Sequence, residues 1–159
     1  MKEQLLAELN AALEYFERSA SALTEDDSTY APVEGVYTAA QHVAHVAQTI
    51  DWFFDGAFRP EGFDMDFEAH DRAVRTVNSL AQARASLART VEQARRTIAA
   101  RSEEEWQQPL PEGPVMGGLP RAAIFGGITD HTAHHRGALT VYARLRGKVP
   151  PMPYMDMPG

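Results

Sequence analysis

The 159-residue sequence contains no cysteine, and this absence removes several kinds of chemistry at once. Disulfide bonds, thiolate metal ligands and a cysteine nucleophile are all excluded. If the protein uses a thiol in a reaction, that thiol has to arrive as a separate small molecule. Length is not a limitation, because 159 residues suffice for one domain with a substantial core.

Long hydrophobic runs are also missing from the sequence. No apolar run approaches the roughly 18–20 residues that a membrane-spanning helix needs. The first residues, from Met1 to Leu5, begin an amphipathic pattern at once and lack the uninterrupted apolar core of a signal peptide. We therefore expect no membrane partner, and a cytoplasmic location is the default expectation.

Positive charge is sparse and dispersed. The formal net charge is −7, and the 15 lysine and arginine residues are scattered among 22 aspartate and glutamate residues. Such a chain has no cationic stripe that could follow a phosphate backbone. Nucleic acid is therefore not an expected partner.

Hydrophobic residues recur at three- and four-residue intervals in four segments, which is the spacing of amphipathic helices. The predicted helices cover residues 2–23, 38–55, 79–101 and 120–146. No segment has the period-two alternation that is typical of a β-strand, and there is no sequence repeat. The sequence therefore predicts a single all-α domain over residues 1–159, folded as a four-helix bundle.

Two long crossover loops connect the predicted helices. Residues 59–70 contain Pro60 and Gly62 and are predicted to form a loop that packs in places but is not regular. A second loop rich in proline and glycine follows a short capped turn at residues 102–106 and ends near Pro120. Both loops are expected to lie over the surface or over the mouth of a pocket.

Half of the six histidines lie in one stretch of the last predicted helix, Asp130–Gly137. His131 and His135 are four residues apart, so their side chains lie on one helical face with Cβ atoms about 5–6 Å apart. At 100° per residue both fall in the middle of the predicted buried stripe. His134 falls on the shoulder of that stripe.

Two imidazoles inside a core are costly unless something satisfies them. Each of them could simply have a hydrogen-bond partner, but an inward pair four residues apart favours one shared metal ion. A catalytic ion usually has three protein ligands and an open position. The second helix offers His42 and His45, which both lie at the margin of its apolar stripe with His42 slightly nearer. Spacing alone leaves the third ligand open.

Two of the predicted helices resemble those of the DinB/YfiT-like superfamily. The run Thr38–Ala47, followed by Trp52, is similar to the second helix of that family. The H-x-x-x-H-R-G run from His131 to Gly137, joined to the G-x-x-P-P ending of residues 147–151, is similar to its last helix and tail. The resemblance covers both long core helices and the order of all four.

This resemblance implies a bundle that holds one divalent metal ion, often nickel or zinc, between helices two and four. In the family, the histidine just before a small apolar pair in helix two supplies the third ligand, and that position here is His45. The implied ligands are therefore His45, His131 and His135. Characterised relatives include enzymes that use bacillithiol, mycothiol or similar low-molecular-weight thiols, and dimers are frequent.

The leading hypothesis is an enzyme that performs thiol transfer or hydrolysis on a small electrophilic substrate with a metal ion. No residue stands out as a dedicated general base, and His42 and His134 are the candidates. Because each ligand must be a neutral imidazole, metal occupancy is expected to fall as the pH drops through roughly 6. The competing hypothesis is a non-catalytic stress-response dimer whose metal is structural or absent.

We also expect a homodimer. Besides the family resemblance, the expectation of a dimer rests on apolar residues in the tail, residues 152–157, and on Phe58, Phe63 and Phe67 of the first crossover loop. A pair of glycines inside the last predicted helix, Gly126 and Gly127, costs about 1 kcal/mol each relative to alanine. Close approach of another helix is the explanation that we expect for them.

Overall fold

The structure, a computed structural model, describes residues 1–156 and contains within them six α-helices and no β-strand. These are α1 (Lys2–Ala20), α2 (Ala39–Phe58), α3 (Phe67–Arg75), α4 (Leu80–Ala100), α5 (Glu103–Gln107) and α6 (Ile124–Leu145). The long helices α1, α2, α4 and α6 form the predicted four-helix bundle, in which α2 packs against both α4 and α6 while α1 packs against α6. The predicted fold class is confirmed.

The predicted domain over residues 1–159 extends three residues beyond the described range, and its extent stays a prediction. Within residues 1–156, no helix is both long enough and apolar enough to cross a membrane.

Helix α2 begins where the sequence predicts, because a reciprocal cap fixes its first turn. The backbone N–H of Gln41 donates to Thr38 Oγ1 at 3.3 Å, and the backbone N–H of Thr38 donates to Gln41 Oε1 at 3.0 Å. These two bonds satisfy backbone donors that have no partner inside the helix. The start of α2 in turn sets which faces of the helix His42 and His45 occupy.

The first crossover differs from the prediction, because it ends in the short helix α3. The Asp66 side chain caps this helix by accepting a hydrogen bond from the backbone N–H of Ala69 at 2.9 Å. The prediction of a loop through residues 59–70 was therefore wrong for residues 67–70. Pro60 and Gly62 break regular structure, but the Asp66 cap restarts it a few residues later.

Helix α3 lies against α2 and is held there by polar contacts at its start. The indole N–H of Trp52 donates to the backbone carbonyl of Asp64 at 2.6 Å. The side-chain amide of Gln48 donates to the backbone carbonyl of His70 at 3.1 Å. These bonds place residues of α3 beside the middle of α2, where the candidate site lies.

One of the two glycines in α6 allows the predicted close approach of another helix. A Cβ atom on Gly127 would lie 2.6 Å from Cζ of Phe53 in α2, so only glycine lets the two helices meet at this point. A Cβ atom on Gly126 would meet nothing within 4 Å, and the explanation does not apply there.

The described part of the tail, residues 152–156, packs against its own bundle. The rings of Tyr154 and Tyr15 meet edge to face with centroids 5.0 Å apart. Asp156 pairs with Arg18 at 2.9 Å. Met157, which belongs to the predicted apolar tail, lies outside the described residues.

Candidate metal centre

Three histidines from two helices converge where α2 and α6 pack together. His45 comes from α2, and His131 and His135 come from α6. Nε2 of His131 lies 3.2 Å from Nε2 of His45 and 3.1 Å from Nε2 of His135. One ring nitrogen from each of the three lies within 4.8 Å of the other two. The structure therefore brings together the three residues that the family resemblance implied.

The separations fit the divalent ion that the resemblance implies. Two imidazole nitrogens that bind one ion at about 2.0–2.1 Å lie roughly 2.9–3.4 Å apart, depending on the angle at the ion. The observed separations of 3.1 and 3.2 Å fall in this range. Three imidazole donors with no sulfur ligand suit zinc and nickel.

Burial keeps these imidazoles neutral. Burial, followed by repulsion from His45, lowers the pKa of His131 to about 4. Burial, followed by repulsion from His131 and His45, lowers the pKa of His135 to about 2. Burial also lowers the pKa of His45. Neutral imidazole is the form that binds metal, so burial favours the protonation state that an ion needs.

His42 lies behind His135 and belongs to a separate contact. Its Nδ1 is 2.8 Å from Nδ1 of His135, and its Nε2 is 3.3 Å from the hydroxyl oxygen of Tyr142. Tyr142 in turn donates its hydroxyl proton to the backbone carbonyl of Tyr37 at 2.9 Å. Burial, followed by repulsion from His45, lowers the pKa of His42 to about 4. His42 thus contacts a candidate ligand and is not one of the three.

A cavity of about 590 Å³ opens beside His45 and His131. Its walls combine aromatic and polar side chains, and among the described residues its lining contains no lysine or arginine. The other lining residues are Tyr37, Gln48, Thr49, Trp52, Phe53, Phe67, His70, Asp71, Gly127 and Asp130. Neither His42 nor His134 belongs to this lining within residues 1–156. The His134 side chain is exposed on α6, with its ring packed edge-on against His135.

Two polar pairs at the cavity were missed by sequence reasoning. Nε2 of His70 lies 3.2 Å from Oδ2 of Asp64. The hydroxyl of Tyr37 donates to Asp71 at 2.7 Å, and burial together with this bond raises the pKa of Tyr37 to about 12. The Asp66 cap is the signal that could have found them, because a helix starting there carries residues 70 and 71 toward α2.

Comparison with known proteins shows which family the chain belongs to. A sequence profile of the DinB superfamily matches residues 8–139, which is most of the chain. No curated protein matches the chain in sequence.

Two solved structures from Bacillus subtilis share the fold. YfiT, described as a probable metal-dependent hydrolase with an unusual four-helix bundle topology, superimposes with a TM-score of 0.69 at 14% identity, over 92% of this chain and 88% of YfiT. The DinB-like protein YjoA superimposes with a TM-score of 0.66 at 17% identity, over 97% of this chain and 99% of YjoA. These likenesses show the fold, and the profile match over residues 8–139 shows the family. The chain belongs to the DinB superfamily.

Proposed function

We propose that the protein is a metal-dependent enzyme in which His45, His131 and His135 hold one divalent ion. The observation that carries the proposal is the approach of three imidazole Nε2 atoms to 3.1 and 3.2 Å beside a cavity of about 590 Å³. Zinc and nickel are the proposed ions, because they suit a three-imidazole donor set. A cavity far larger than one water molecule favours catalysis over a purely structural ion.

The proposed reaction is hydrolysis of a small electrophilic substrate or transfer of a low-molecular-weight thiol to it. A divalent ion at this position would polarise the electrophile and lower the pKa of a bound water or thiol. YfiT, which shares the fold, is described as a probable hydrolase, and this supports the hydrolytic reaction. Because the chain has no cysteine, the thiol of a transfer reaction would be a cosubstrate.

The cavity lining restricts the substrate. Trp52, Phe53 and Phe67 form aromatic walls, while the charged side chains are the acidic Asp71 and Asp130. Asp71 is already paired with Arg75 at 2.7 Å, so this side of the site is close to charge-neutral and favours a largely apolar, uncharged molecule.

His70 is the side chain that we propose as the proton acceptor. The Asp64 carboxylate can only accept a hydrogen bond, so the imidazole donates from Nε2 across the 3.2 Å contact. With this tautomer, Nδ1 of His70 carries the lone pair that would take a proton from the attacking water or thiol. A carboxylate that orients an imidazole in this way also stabilises the ring once it is protonated.

Elemental analysis of untagged protein tests the metal site. We expect close to one zinc or nickel ion per chain after loading, and little metal in the variants His45→Ala, His131→Ala and His135→Ala. His134→Ala is the matched control and should keep its metal, because this side chain is exposed. Stoichiometric metal in all four variants would place the site elsewhere and overturn the proposal.

A substrate panel tests the reaction. Zinc-loaded protein should hydrolyse small apolar esters, or consume alkylating electrophiles when a thiol is added, and neither activity should survive chelation. His70→Gln should lower kcat by about 10²–10⁴-fold if His70 is the base, while the metal content stays at the wild-type level. Full activity in His70→Gln would show that another group takes the proton.

We also propose that the protein forms a homodimer through the outer face of α6. Val141 and Leu145 lie one turn apart on this face and are 54% and 58% exposed, and Val149 beyond the helix is 80% exposed. Light scattering at micromolar concentration should give twice the 17.6 kDa of one chain. Val141→Glu should shift the mass toward the monomer, and a monomeric wild type would refute the dimer.

A further inference from the structure

We infer that a directed hydrogen-bond chain, from the backbone carbonyl of Tyr37 through Tyr142 and His42, fixes the tautomer of His135. In that tautomer, Nε2 of His135 has no proton and points at His131 and His45 as a ready metal ligand. The inference deepens the proposed function and rests on it for the identity of the bound group. It gives His42 a positioning role in place of direct contact with the substrate.

The direction of the hydrogen-bond chain follows from its first member, the Tyr37 carbonyl oxygen, which can only accept a hydrogen bond. The carbonyl oxygen of Tyr37 accepts a hydrogen bond from the Tyr142 hydroxyl at 2.9 Å. A tyrosine hydroxyl has one proton, and this bond uses it. The contact of 3.3 Å between Tyr142 and Nε2 of His42 must then be donated by the histidine.

The same reasoning fixes which nitrogen of the candidate ligand His135 carries a proton. A neutral imidazole has a proton on one nitrogen, so His42 with Nε2–H has an unprotonated Nδ1. The 2.8 Å contact between Nδ1 of His42 and Nδ1 of His135 needs one proton, and it must come from His135. Since His135 has its proton on Nδ1, its Nε2 is left with a lone pair.

The opposite direction would have a cost at one end and would block the proposed metal site at the other. If Tyr142 donated to His42, the Tyr37 carbonyl would lose its bond from this hydroxyl. His135 would then hold its proton on Nε2, where it could donate to Nε2 of His131 across 3.1 Å but would block an ion. Both nitrogens of His42 are engaged in the inferred chain, which also explains why His42 is not the third ligand.

Nitrogen-15 NMR tests the tautomers directly in protein labelled at histidine. In metal-free protein near neutral pH we expect the proton of His42 on Nε2 and that of His135 on Nδ1, and zinc should leave both assignments unchanged. Signals that disappear in His42→Asn and His135→Ala identify the two rings. The reverse tautomers in metal-free protein would overturn the inference, whether or not zinc binds.

Zinc affinity, measured by competition with a chelating dye, tests the consequence. Loss of the partner of a ligand histidine typically weakens metal binding by about 10–100-fold, and we expect this of His42→Leu. His42→Asn restores an acceptor oxygen close to the position of Nδ1 and should stay within about threefold of the wild type. The matched control, exposed His134→Asn, should bind like the wild type.

The outcomes separate the two proposals. If wild-type protein binds no zinc or nickel, the proposed function fails, and the tautomers of the metal-free protein still decide the hydrogen-bond chain. If wild-type protein binds zinc and folded His42→Leu binds it equally well, the positioning role of His42 is refuted while the metal site stands. Tyr142→Phe should populate both tautomers of His135, because the hydrogen-bond chain loses the hydroxyl group that sets its direction.

Discussion

Two buried polar clusters connect α6 and the residues that follow it to earlier segments of the chain. The two clusters differ in the charges of the groups that they bring together. In the first, which we call the Asp27 cluster, one carboxylate meets Thr24, Arg146 and Lys148. In the second, the histidine cluster, four imidazoles from α2 and α6 (His42, His45, His131 and His135) face one another. Opposite charges are matched in the first cluster, whereas like groups are crowded together in the second.

The Asp27 cluster is complete. Asp27 is fully buried, and Arg146 donates to its Oδ1 at 3.0 Å. Its Oδ2 accepts from Lys148 and, at 2.8 Å, from the backbone N–H of Thr24. Burial opposes ionisation, but these hydrogen bonds outweigh it and hold the pKa of Asp27 well below its usual value. The carboxylate needs no further ligand, and the cluster contributes stability as it stands.

The histidine cluster is incomplete. Nδ1 of His45 and the hydroxyl of Thr132 one residue after His131 are buried without a hydrogen-bond partner in the described chain. Burial lowers the pKa of His42, His131 and His135, so the cluster also resists protonation. Buried polar groups without partners cost free energy. One cluster is therefore satisfied within the fold, whereas the other crowds neutral imidazoles together, and the orphaned atoms at its edge are not the Nε2 atoms that would hold the proposed ion.

The largest difference in unfolding free energy between changes to the two clusters should come from adding the proposed ion. A ligand that binds only the folded state stabilises it by about 4 kcal/mol at 1,000 times its dissociation constant. Urea denaturation with and without zinc should show this gain in the wild type and in Asp27→Asn, but not in His135→Ala. Equal stabilisation of His135→Ala would mean that zinc acts at another place.

The next largest effect should be the loss of the Asp27 charge. Asp27→Asn removes charge-assisted bonds and leaves Arg146 and Lys148 facing a neutral amide, which should cost about 2–3 kcal/mol of unfolding free energy. Asp26→Asn, an exposed neighbour in the same turn, is the control and should change stability little. A similar loss in both variants would show that the turn matters and the buried charge does not.

The two clusters also differ in how far the sequence could predict them. The histidine cluster has a local signal, because His131 and His135 are four residues apart on one helical face. The Asp27 cluster has none, since Asp27 and Arg146 are separated by 119 residues and ordinary ion pairs follow no spacing rule. Long amphipathic helices were predictable for the same reason as the histidine pair: their pattern repeats within a few residues.

The choice between His42 and His45 could not be made from spacing, and the structure shows why. Helix α2 packs against α4 on one side and α6 on another, so its buried surface is wider than a single apolar stripe. Both histidines therefore face the interior, and only the arrangement of α6 directs one to His131 and the other to His135. The helix α3 was missed because it depends on a single cap, Asp66, beside residues that break regular structure.

The third prediction is that the clusters lose stability in different pH ranges. Histidines whose pKa is lowered by folding bind more protons when unfolded, so metal-free protein should begin to lose stability as the pH falls below about 6.5, and His135 extends this loss toward about 2. The carboxylate of Asp27 has its pKa lowered too, but its contribution is lost only below about 4. Denaturation in urea at a series of pH values, in the presence of a chelator, measures both ranges. Asp27→Asn should make the loss of stability below about pH 4 less steep and leave the loss between about 6.5 and 4 unchanged.

The smallest expected effect has the opposite sign from that of Asp27→Asn. In metal-free protein, His131→Leu replaces an imidazole that crowds two others with an apolar side chain, and it removes a group that resists protonation. Residues kept for function are often not the most stable choice, and such a replacement commonly gains about 0.5–1 kcal/mol. Urea denaturation at pH 7 in a chelator should therefore show His131→Leu slightly more stable than the wild type, while zinc should no longer stabilise it. A loss as large as that of Asp27→Asn would mean that the imidazoles form a finished structural network like the Asp27 cluster, and the contrast between the two clusters would not hold.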